Sequence, residues 1–136
     1  MASTFQLEVV TPDRKFFEDE VSMVTVRTTE GDVGILKEHM PMVAPLDIGV
    51  IKIKQKGKTV MATCAGGFVS VDEDKTTIIT DAAEWPEEID IARAEAAAKR
   101  AEERINHGDA KEIDVVRAQI ALNKALNRLR VAKDDD

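Results

Sequence analysis

The apolar residues of this chain follow two different periods, and the change falls between Trp85 and Asp90. Before it, apolar and polar residues alternate in short runs, as in half-buried β-strands. The strand candidates are residues 5–10, 15–17, 21–27, 49–55, 59–65, 68–71 and 76–81. Because one small sheet could not cover the apolar face of so many strands, residues 1–84 are predicted to form an antiparallel β-sandwich.

Glycine, proline and acidic residues mark the expected turns between these strands. The turns are placed at Pro12-Asp13, at 56–58, at Gly66-Gly67 and at 72–75. The segment 30–46 is rich in glycine and proline, so it is predicted to form tight turns at one end of the sandwich. Its apolar side chains fit either the core or a docking surface for another protein; they are Met40, Met42 and Leu46.

After Pro86 the apolar period becomes that of a helix. A first helix is predicted to open at Ile89-Asp90, with Glu87, Glu88 and Asp90 near its positive end. Its apolar face comprises Ile91, Ala94, Ala98, Ala101 and Ile105, and the matching face of a second helix comprises Val115, Ala118, Leu122, Ala125, Leu126 and Leu129. With a stop at 106–109 between them, residues 87–133 are predicted to form an antiparallel helical hairpin, followed by a frayed acidic tail at 134–136.

Composition narrows the function classes. The net charge of −7 and the absence of a basic run with interleaved aromatics argue against nucleic-acid binding. Cys64, the sole cysteine, allows no internal disulfide and is expected to be a buried small residue rather than a nucleophile. His39 and His107 belong to no metal or triad spacing, so no active site and no metal site are expected. No apolar run approaches the ~20 residues that would cross a membrane.

Two rows of basic residues stand out in the helical part. On a helix, Arg93, Arg100 and Arg104 fall within about 40° of one another. The second helix repeats the spacing with Arg117, Lys124 and Arg128, so the two rows could close around one anion. A solvated face and a surface for an acidic partner are both open interpretations of the cationic second helix.

Asp90 and Arg93 also allow two interpretations. Three residues apart at a helix start, they can form a cap with a local ion pair. Alternatively, Asp90 accepts a hydrogen bond from the amine edge of a ligand whose phosphates the arginines neutralise.

Several segments together resemble the epsilon subunit of bacterial ATP synthase. They are Val9-Val10-Thr11-Pro12-Asp13, Gly31-Asp32-Val33-Gly34-Ile35-Leu36 with His39-Met40-Pro41, Ala65-Gly66-Gly67-Phe68-Val69 and Leu126-Asn127-Arg128-Leu129-Arg130-Val131. Their order and spacing match that family over essentially the whole chain. The sequence has Lys37-Glu38 where the family often has Pro-Gly.

The resemblance implies a non-catalytic subunit of the central stalk, peripheral to the cytoplasmic face of the cell membrane. In this family the sandwich binds the gamma subunit and faces the membrane c-ring, and Asp32 and His39 match positions implicated in the ring contact. The hairpin can extend alongside gamma and restrain ATP hydrolysis. Its basic residues then face acidic parts of the catalytic beta subunits; those residues are Arg117, Lys124, Arg128 and Arg130.

Some members of that family bind ATP on the folded hairpin. Their motif is similar to 89–94 here, with Ile89, Asp90, Arg93 and Ala94 at its defined positions. Glu84, Arg100, Lys124 and Arg128 match further positions implicated in ATP contact. No cofactor is required on this interpretation; ATP is a regulatory ligand that Mg²⁺ could accompany. The alternative is a stand-alone ATP-sensing module, which would not co-purify with a gamma subunit.

Overall fold

The computed structural model describes residues 3–106 and 112–133, which form two compact units; along the chain the first ends at Glu84 and the second begins at Trp85. The first unit contains seven strands: β1 Phe5–Val10, β2 Lys15–Val21, β3 Met23–Thr28, β4 Gly31–Ile35, β5 Met42–Gln55, β6 Lys58–Val71 and β7 Lys75–Ile79. They form one sheet in the order β2-β1-β7-β6-β5-β3-β4. All neighbouring pairs are antiparallel except β1 and β7.

The sheet curls into two layers. β2 and β5 stand four places apart in the strand order, so about 19 Å would separate them in a flat sheet. Yet the Ser22 amide, directly after β2, donates to the Lys54 carbonyl at 2.8 Å. The Gln55 side-chain amide likewise donates to the Glu20 carbonyl at 2.8 Å. The predicted sandwich is therefore confirmed, and alternate residues such as Leu7, Val24 and Ile53 form its buried core.

The turn predicted at 56–58 is a two-residue hairpin. Gln55 pairs with Lys58, and the residues between them, Lys56 and Gly57, both have positive φ, at 51° and 78°. Two successive positive φ values match the right-handed twist of the flanking strands. This turn makes β5 and β6 a long antiparallel ribbon of two 14-residue strands.

The turn predicted at Gly66-Gly67 is wrong, because both residues lie inside β6. The expected strands 59–65 and 68–71 are therefore one strand. Gly66 and Gly67 have φ values of 86° and 109°, and Gly67 still pairs with Leu46. A Cβ on Gly67 would collide with the main-chain carbonyl of Ile79. Gly67 thus allows a close backbone approach within a continuous strand, and Gly66 supplies a second positive φ there rather than a turn.

Gly67→Ala is expected to destabilise the sandwich by about 3 kcal/mol or more, because the methyl group meets main chain that cannot move aside and φ is unfavourable for alanine. Gly57→Ala is the matched control: its φ is also positive, but nothing lies within 4 Å of the added carbon. It is expected to cost only about 1–2 kcal/mol. Urea unfolding of both variants measures the difference, and equal losses would contradict the steric explanation.

The segment 30–46 holds more regular structure than its composition predicts. It contains the whole of β4 and the first five residues of β5. Of the three apolar side chains weighed between core and surface, Leu46 is buried, Met42 is half-buried and Met40 is 78% exposed. Tight turns are present at Thr29-Glu30, between β3 and β4, and at Lys37-Glu38, between β4 and β5.

The chain leaves the sandwich through hydrogen bonds to β6. The Thr63 amide donates to the Glu84 carbonyl at 3.0 Å, and the Glu84 amide donates to the Thr63 hydroxyl at 2.9 Å. The Ala65 amide donates to the Ala82 carbonyl at 3.2 Å. Main chain beyond β7 therefore stays attached to the first unit up to Glu84.

The second unit consists of a 3₁₀ turn at Pro86–Glu88 and two helices, α1 Ile91–Asn106 and α2 Glu112–Ala132. The first helix begins two residues later than predicted. Glu87 and Glu88 belong to the 3₁₀ turn, so of the three expected acids only Asp90 lies at the start of α1. The predicted tail at 134–136 and His107 lie outside the described residues.

Alanines are prominent among the buried residues of both helices, and α2 also buries Asn127 and Val131. On α1 the buried residues are Ala94, Ala98 and Ala101. On α2, Ala118 and Ala125 are buried, whereas Leu126, predicted to face α1, is 44% exposed. Five residues separate two helices that contact each other, and α2 also contacts the 3₁₀ turn before α1, so the helices are antiparallel.

Candidate functional site

The start of α1 is organised by Asp90. Its carboxylate Oδ1 accepts the Arg93 amide at 3.0 Å, and its carbonyl accepts the Ala94 amide at 3.0 Å, which makes Asp90 the N-cap residue. No ion pair between the Asp90 and Arg93 side chains is found in the part of the chain that the structure describes. The cap of the first interpretation is thus present, and the Arg93 side chain is exposed.

The 3₁₀ turn fixes the path of the chain into α1. The Trp85 amide donates to Glu88 Oε1 at 2.9 Å, and the Glu88 amide donates to the Trp85 carbonyl at 3.0 Å. The Ile89 amide then donates to the Pro86 carbonyl at 3.2 Å, and the Ile89 side chain is buried. These bonds close the 3₁₀ turn from both sides and lead the chain to Asp90 at the start of α1.

Both basic rows lie on one face of the hairpin. From the helical repeat, the row of Arg93, Arg100 and Arg104 is about 110° from the centre of the buried row of α1. The basic row of α2 lies about 120° from the centre of the buried row of α2, and the rotation about the helix axis has the same sense as on α1. In antiparallel helices, displacements of the same sense point to the same side. The second row comprises the exposed Arg117 and Lys124 and the half-buried Arg128.

Small residues lie between the two rows. On the helical repeat, Ala97 of α1 and Ala121 and Ala132 of α2 fall between their own basic row and the helix contact. The antiparallel arrangement also places Arg93 toward the end of the hairpin where Arg128 lies. The result is a shallow strip with an alanine floor and cationic edges, which suits a phosphate-bearing anion.

The other predicted ATP-contact residues are distributed differently. Ala94 is a buried residue of α1, and Ile89, directly after the 3₁₀ turn, is buried as well, so neither side chain is exposed to a ligand. Glu84 belongs to the first unit, where its main chain is bonded to Thr63. Arg130, predicted with the beta-subunit contacts, lies about 140° around α2 from the basic row.

The predicted ring-contact residues occupy a strand and a loop. Asp32 lies in β4, directly opposite Arg27 of β3, and the Arg27 Nε donates to Asp32 Oδ1 at 2.6 Å. His39 lies in the following loop, where its amide donates to the Leu36 carbonyl at 3.1 Å and its Nδ1 lies 2.9 Å from the Met40 carbonyl. His39 also lines a cleft of about 250 Å³ beside the acidic residues Asp72, Glu73 and Asp74.

An exposed apolar ladder crosses the outer face of the sandwich, and sequence analysis missed it. Phe68 of β6 pairs directly with Pro45 of β5 and with Ile79 of β7, and Ile79 pairs with Val10 of β1. Phe68 is 56% and Ile79 57% exposed. Four adjacent strands thus present apolar side chains in one line about 14 Å long. The sequence contained a signal for it, because β6 and β7 have consecutive apolar residues, and consecutive residues of a strand face opposite sides of the sheet.

A charged cluster borders this ladder on β1, β2 and β7. Lys15 Nζ lies 3.0 Å from Glu18 and 3.5 Å from Glu8, and Lys75 Nζ lies 3.4 Å from Glu8. The hydrogen bond from Glu18 and the charges of both lysines hold the pKa of Glu8 below its ordinary value. Glu18 and Glu8 together raise the pKa of Lys15. The cluster gives the ladder a polar border, as docking surfaces commonly have.

Cys64 is buried, as predicted. Its thiol donates weakly to the Gly66 carbonyl at 3.4 Å and lies 3.5 Å from the Thr80 hydroxyl. Burial raises the pKa of the Cys64 thiol, which disfavours the reactive thiolate. Among the residues described, no group of three or more potential ligands could hold a metal ion, and no helix is long and apolar enough to cross a membrane.

Family models cover nearly the whole chain. Residues 4–86 match the beta-sandwich domain of the ATP synthase Delta/Epsilon chain, and residues 87–133 match its long alpha-helix domain. The chain therefore belongs to the family of ATP synthase delta and epsilon chains. The resemblance to the epsilon subunit expected from the sequence is confirmed.

Proteins similar to this chain in sequence or structure include components of ATP synthases. The ATP synthase epsilon chain of Alkaliphilus metalliredigens is 60% identical over 98% of this chain and 99% of its own length. That of Caldanaerobacter subterraneus is 48% identical over 97% and 96%. Among solved structures, one chain of the Euglena gracilis mitochondrial ATP synthase, in an assembly described as OSCP, F1 and c-ring, matches with a TM-score of 0.82 and 26% identity. It covers 92% of this chain and 79% of that one.

Proposed function

We propose that this chain couples the rotor of a proton-translocating ATP synthase to its catalytic head, as a non-catalytic central-stalk subunit at the cytoplasmic face of the membrane. Family membership over both units supports the stalk role. The similar Euglena chain comes from an assembly that contains F1 and a c-ring. On this proposal the membrane is reached only through the complex.

The observation that carries the proposal is the apolar ladder on the sandwich. Contiguous exposed apolar residues on a folded domain commonly mark a protein-binding surface, and this one has a charged border. We assign the ladder to the gamma subunit. The ladder also favours a complex over the alternative of a stand-alone ATP-sensing module, which would have no use for such a surface.

The remaining contacts divide between the two units. Asp32 and His39 are proposed to meet the c-ring from β4 and its following loop. The hairpin is proposed to restrain ATP hydrolysis through contact with acidic parts of the beta subunits, and to bind ATP as a regulatory ligand when its helices are closed. The alanine-floored strip between the two basic rows supports the ATP site.

The fragment 1–84 is expected to fold and to bind gamma without the hairpin. The sandwich has its own core, and the Thr63–Glu84 bonds close its last segment. Within it, Phe68→Ser with Ile79→Ser should weaken gamma binding by about tenfold or more, since the centre of an apolar interface contributes most of its affinity. Circular dichroism measures whether the fragment is folded, and titration with purified gamma measures its affinity.

Val60→Ser is the control, because Val60 is 45% exposed in the same strand but lies outside the ladder. It should leave gamma binding within about twofold of the parent. An unfolded fragment would contradict the independence of the sandwich. A folded ladder variant that binds gamma as tightly as the parent would contradict the assignment of the ladder.

A further inference from the structure

The Arg27–Asp32 pair joins neighbouring strands at the hairpin of β3 and β4. The two residues are directly opposite in the register, and their hydrogen bond is 2.6 Å long. Both side chains are about half exposed, at 49% and 58%, so the pair is on the surface rather than in the core. An exposed pair of this kind adds little to folding stability. Its geometry is nevertheless well defined, because strand pairing fixes both main chains.

Gly49 of β5 leaves the space that the Arg27 side chain occupies. A Cβ on Gly49 would lie 2.6 Å from the Arg27 Cβ and 2.9 Å from its Cγ. The Arg27 stem therefore lies directly on the main chain of Gly49, where any other residue would displace it. Between Thr25 and Thr28 the pairing of β3 with β5 shifts register, and this irregularity is where Arg27 meets Gly49.

We infer that Arg27 is a positioning residue for Asp32 in the contact with the membrane ring, an inference that rests on the proposed function. The Arg27 Nε holds one carboxylate oxygen, Oδ1, while the Asp32 side chain is 58% exposed and so remains accessible to a partner. The guanidinium also cancels the carboxylate charge. The matching group on the partner is therefore a hydrogen-bond donor, and an opposite charge is not required of it.

A double-mutant cycle in the assembled enzyme tests this role. The variants are Arg27→Gln, Asp32→Asn and the two combined, in ATP synthase reconstituted into vesicles. The measurements are retention of the catalytic head on the membrane after dilution and the number of protons pumped per ATP hydrolysed. Asp32→Asn and Arg27→Gln are each expected to weaken retention by about three- to tenfold. The combined variant should be no weaker than Asp32→Asn alone, because Arg27 acts through Asp32.

Two glycine substitutions provide a second, independent route. Gly49→Ala should reproduce the loss seen with Arg27→Gln, since it pushes on the stiff base of the arginine side chain. Gly34→Ala in β4, the strand of Asp32, is the matched control, because the only close atom to its added carbon is the flexible end of Met23, at 2.5 Å. Lys54→Gln removes a positive charge from the same sheet and should leave retention unchanged.

The outcomes separate this inference from the proposed function. If Asp32→Asn leaves retention and pumping unchanged, the ring contact of Asp32 is wrong and the inference is overturned with it. If Asp32→Asn weakens retention but Arg27→Gln does not, the ring contact stands and the positioning role is wrong. A loss from Arg27→Gln that persists in the Asp32→Asn background also overturns the role, since Arg27 would then act independently of Asp32.

Discussion

Replacing Arg93 and Arg100 together by alanine is expected to lower the affinity of the isolated subunit for ATP by at least about a hundredfold. Each guanidinium can supply a charge-assisted hydrogen bond to a phosphate, which contributes about 1.5–3 kcal/mol. Each loss therefore corresponds to about a tenfold to hundredfold change in the dissociation constant. Both side chains are exposed on α1, so the fold should be retained. Calorimetric titration with ATP measures the change, and unfolding by heat checks the fold.

Two controls sharpen that experiment. Arg130→Ala removes the same charge from the far side of α2 and should change the affinity by less than about twofold. Asp90→Asn keeps a capping side chain but loses the negative charge, whereas Asp90→Ala loses both. Weaker ATP binding by the alanine variant alone would assign Asp90 to the cap. A double arginine variant that binds ATP like the parent would remove the site from the hairpin.

Reversing the charges of Arg117, Lys124 and Arg128 to glutamate is expected to raise ATP hydrolysis by the assembled enzyme about three- to tenfold. A single exposed pair contributes only about 0.2–1 kcal/mol, but three reversals at one partly desolvated interface act together. The sandwich is untouched, so assembly should be normal. Hydrolysis by purified complexes is the measurement, with subunit composition checked on the same samples.

Ionic strength supplies the control for the triple reversal. Added salt should release part of the inhibition in the parent, because it screens exposed charges, and should have little effect on the variant. Unchanged hydrolysis by a fully assembled triple variant would exclude the basic row as the inhibitory element. Lys124 and Arg128 belong to both the proposed ATP site and the proposed beta contact. ATP binding and inhibition are therefore expected to exclude each other.

Local patterns predicted the elements well where one physical signal dominated. The alternation of 5–10 predicted β1 with its observed bounds, and Gly57 predicted the tight turn between β5 and β6. The glycine pair at 66–67 led to the wrong prediction of a turn. Glycines with positive φ occur both in turns and where backbones approach closely within a strand. Only the position of Ile79 in three dimensions distinguishes the two.

The candidate sites were predictable to different degrees. Helical spacing gave both basic rows, but their common face follows only from the antiparallel arrangement of α1 and α2. Arg27 was missed because β4 was not recognised. Once Gly31 is placed opposite Thr28, the register brings Arg27 to Asp32. The apolar ladder was missed because it requires the order of four strands, which no local pattern specifies.

The alanines between α1 and α2 set how firmly the hairpin can hold together. Ala94, Ala98 and Ala101 are the buried residues of α1, and burial of a methyl group contributes only about 0.8 kcal/mol. With Ala118 and Ala125 of α2, the buried methyl groups contribute about 4 kcal/mol in all, well below what the same number of leucines would give. Reversing a two-state population from 1:99 to 99:1 takes about 5.5 kcal/mol of differential binding. Because the contact between the helices is this small, the differential binding free energy of a single nucleotide is enough to shift the population between closed and separated helices.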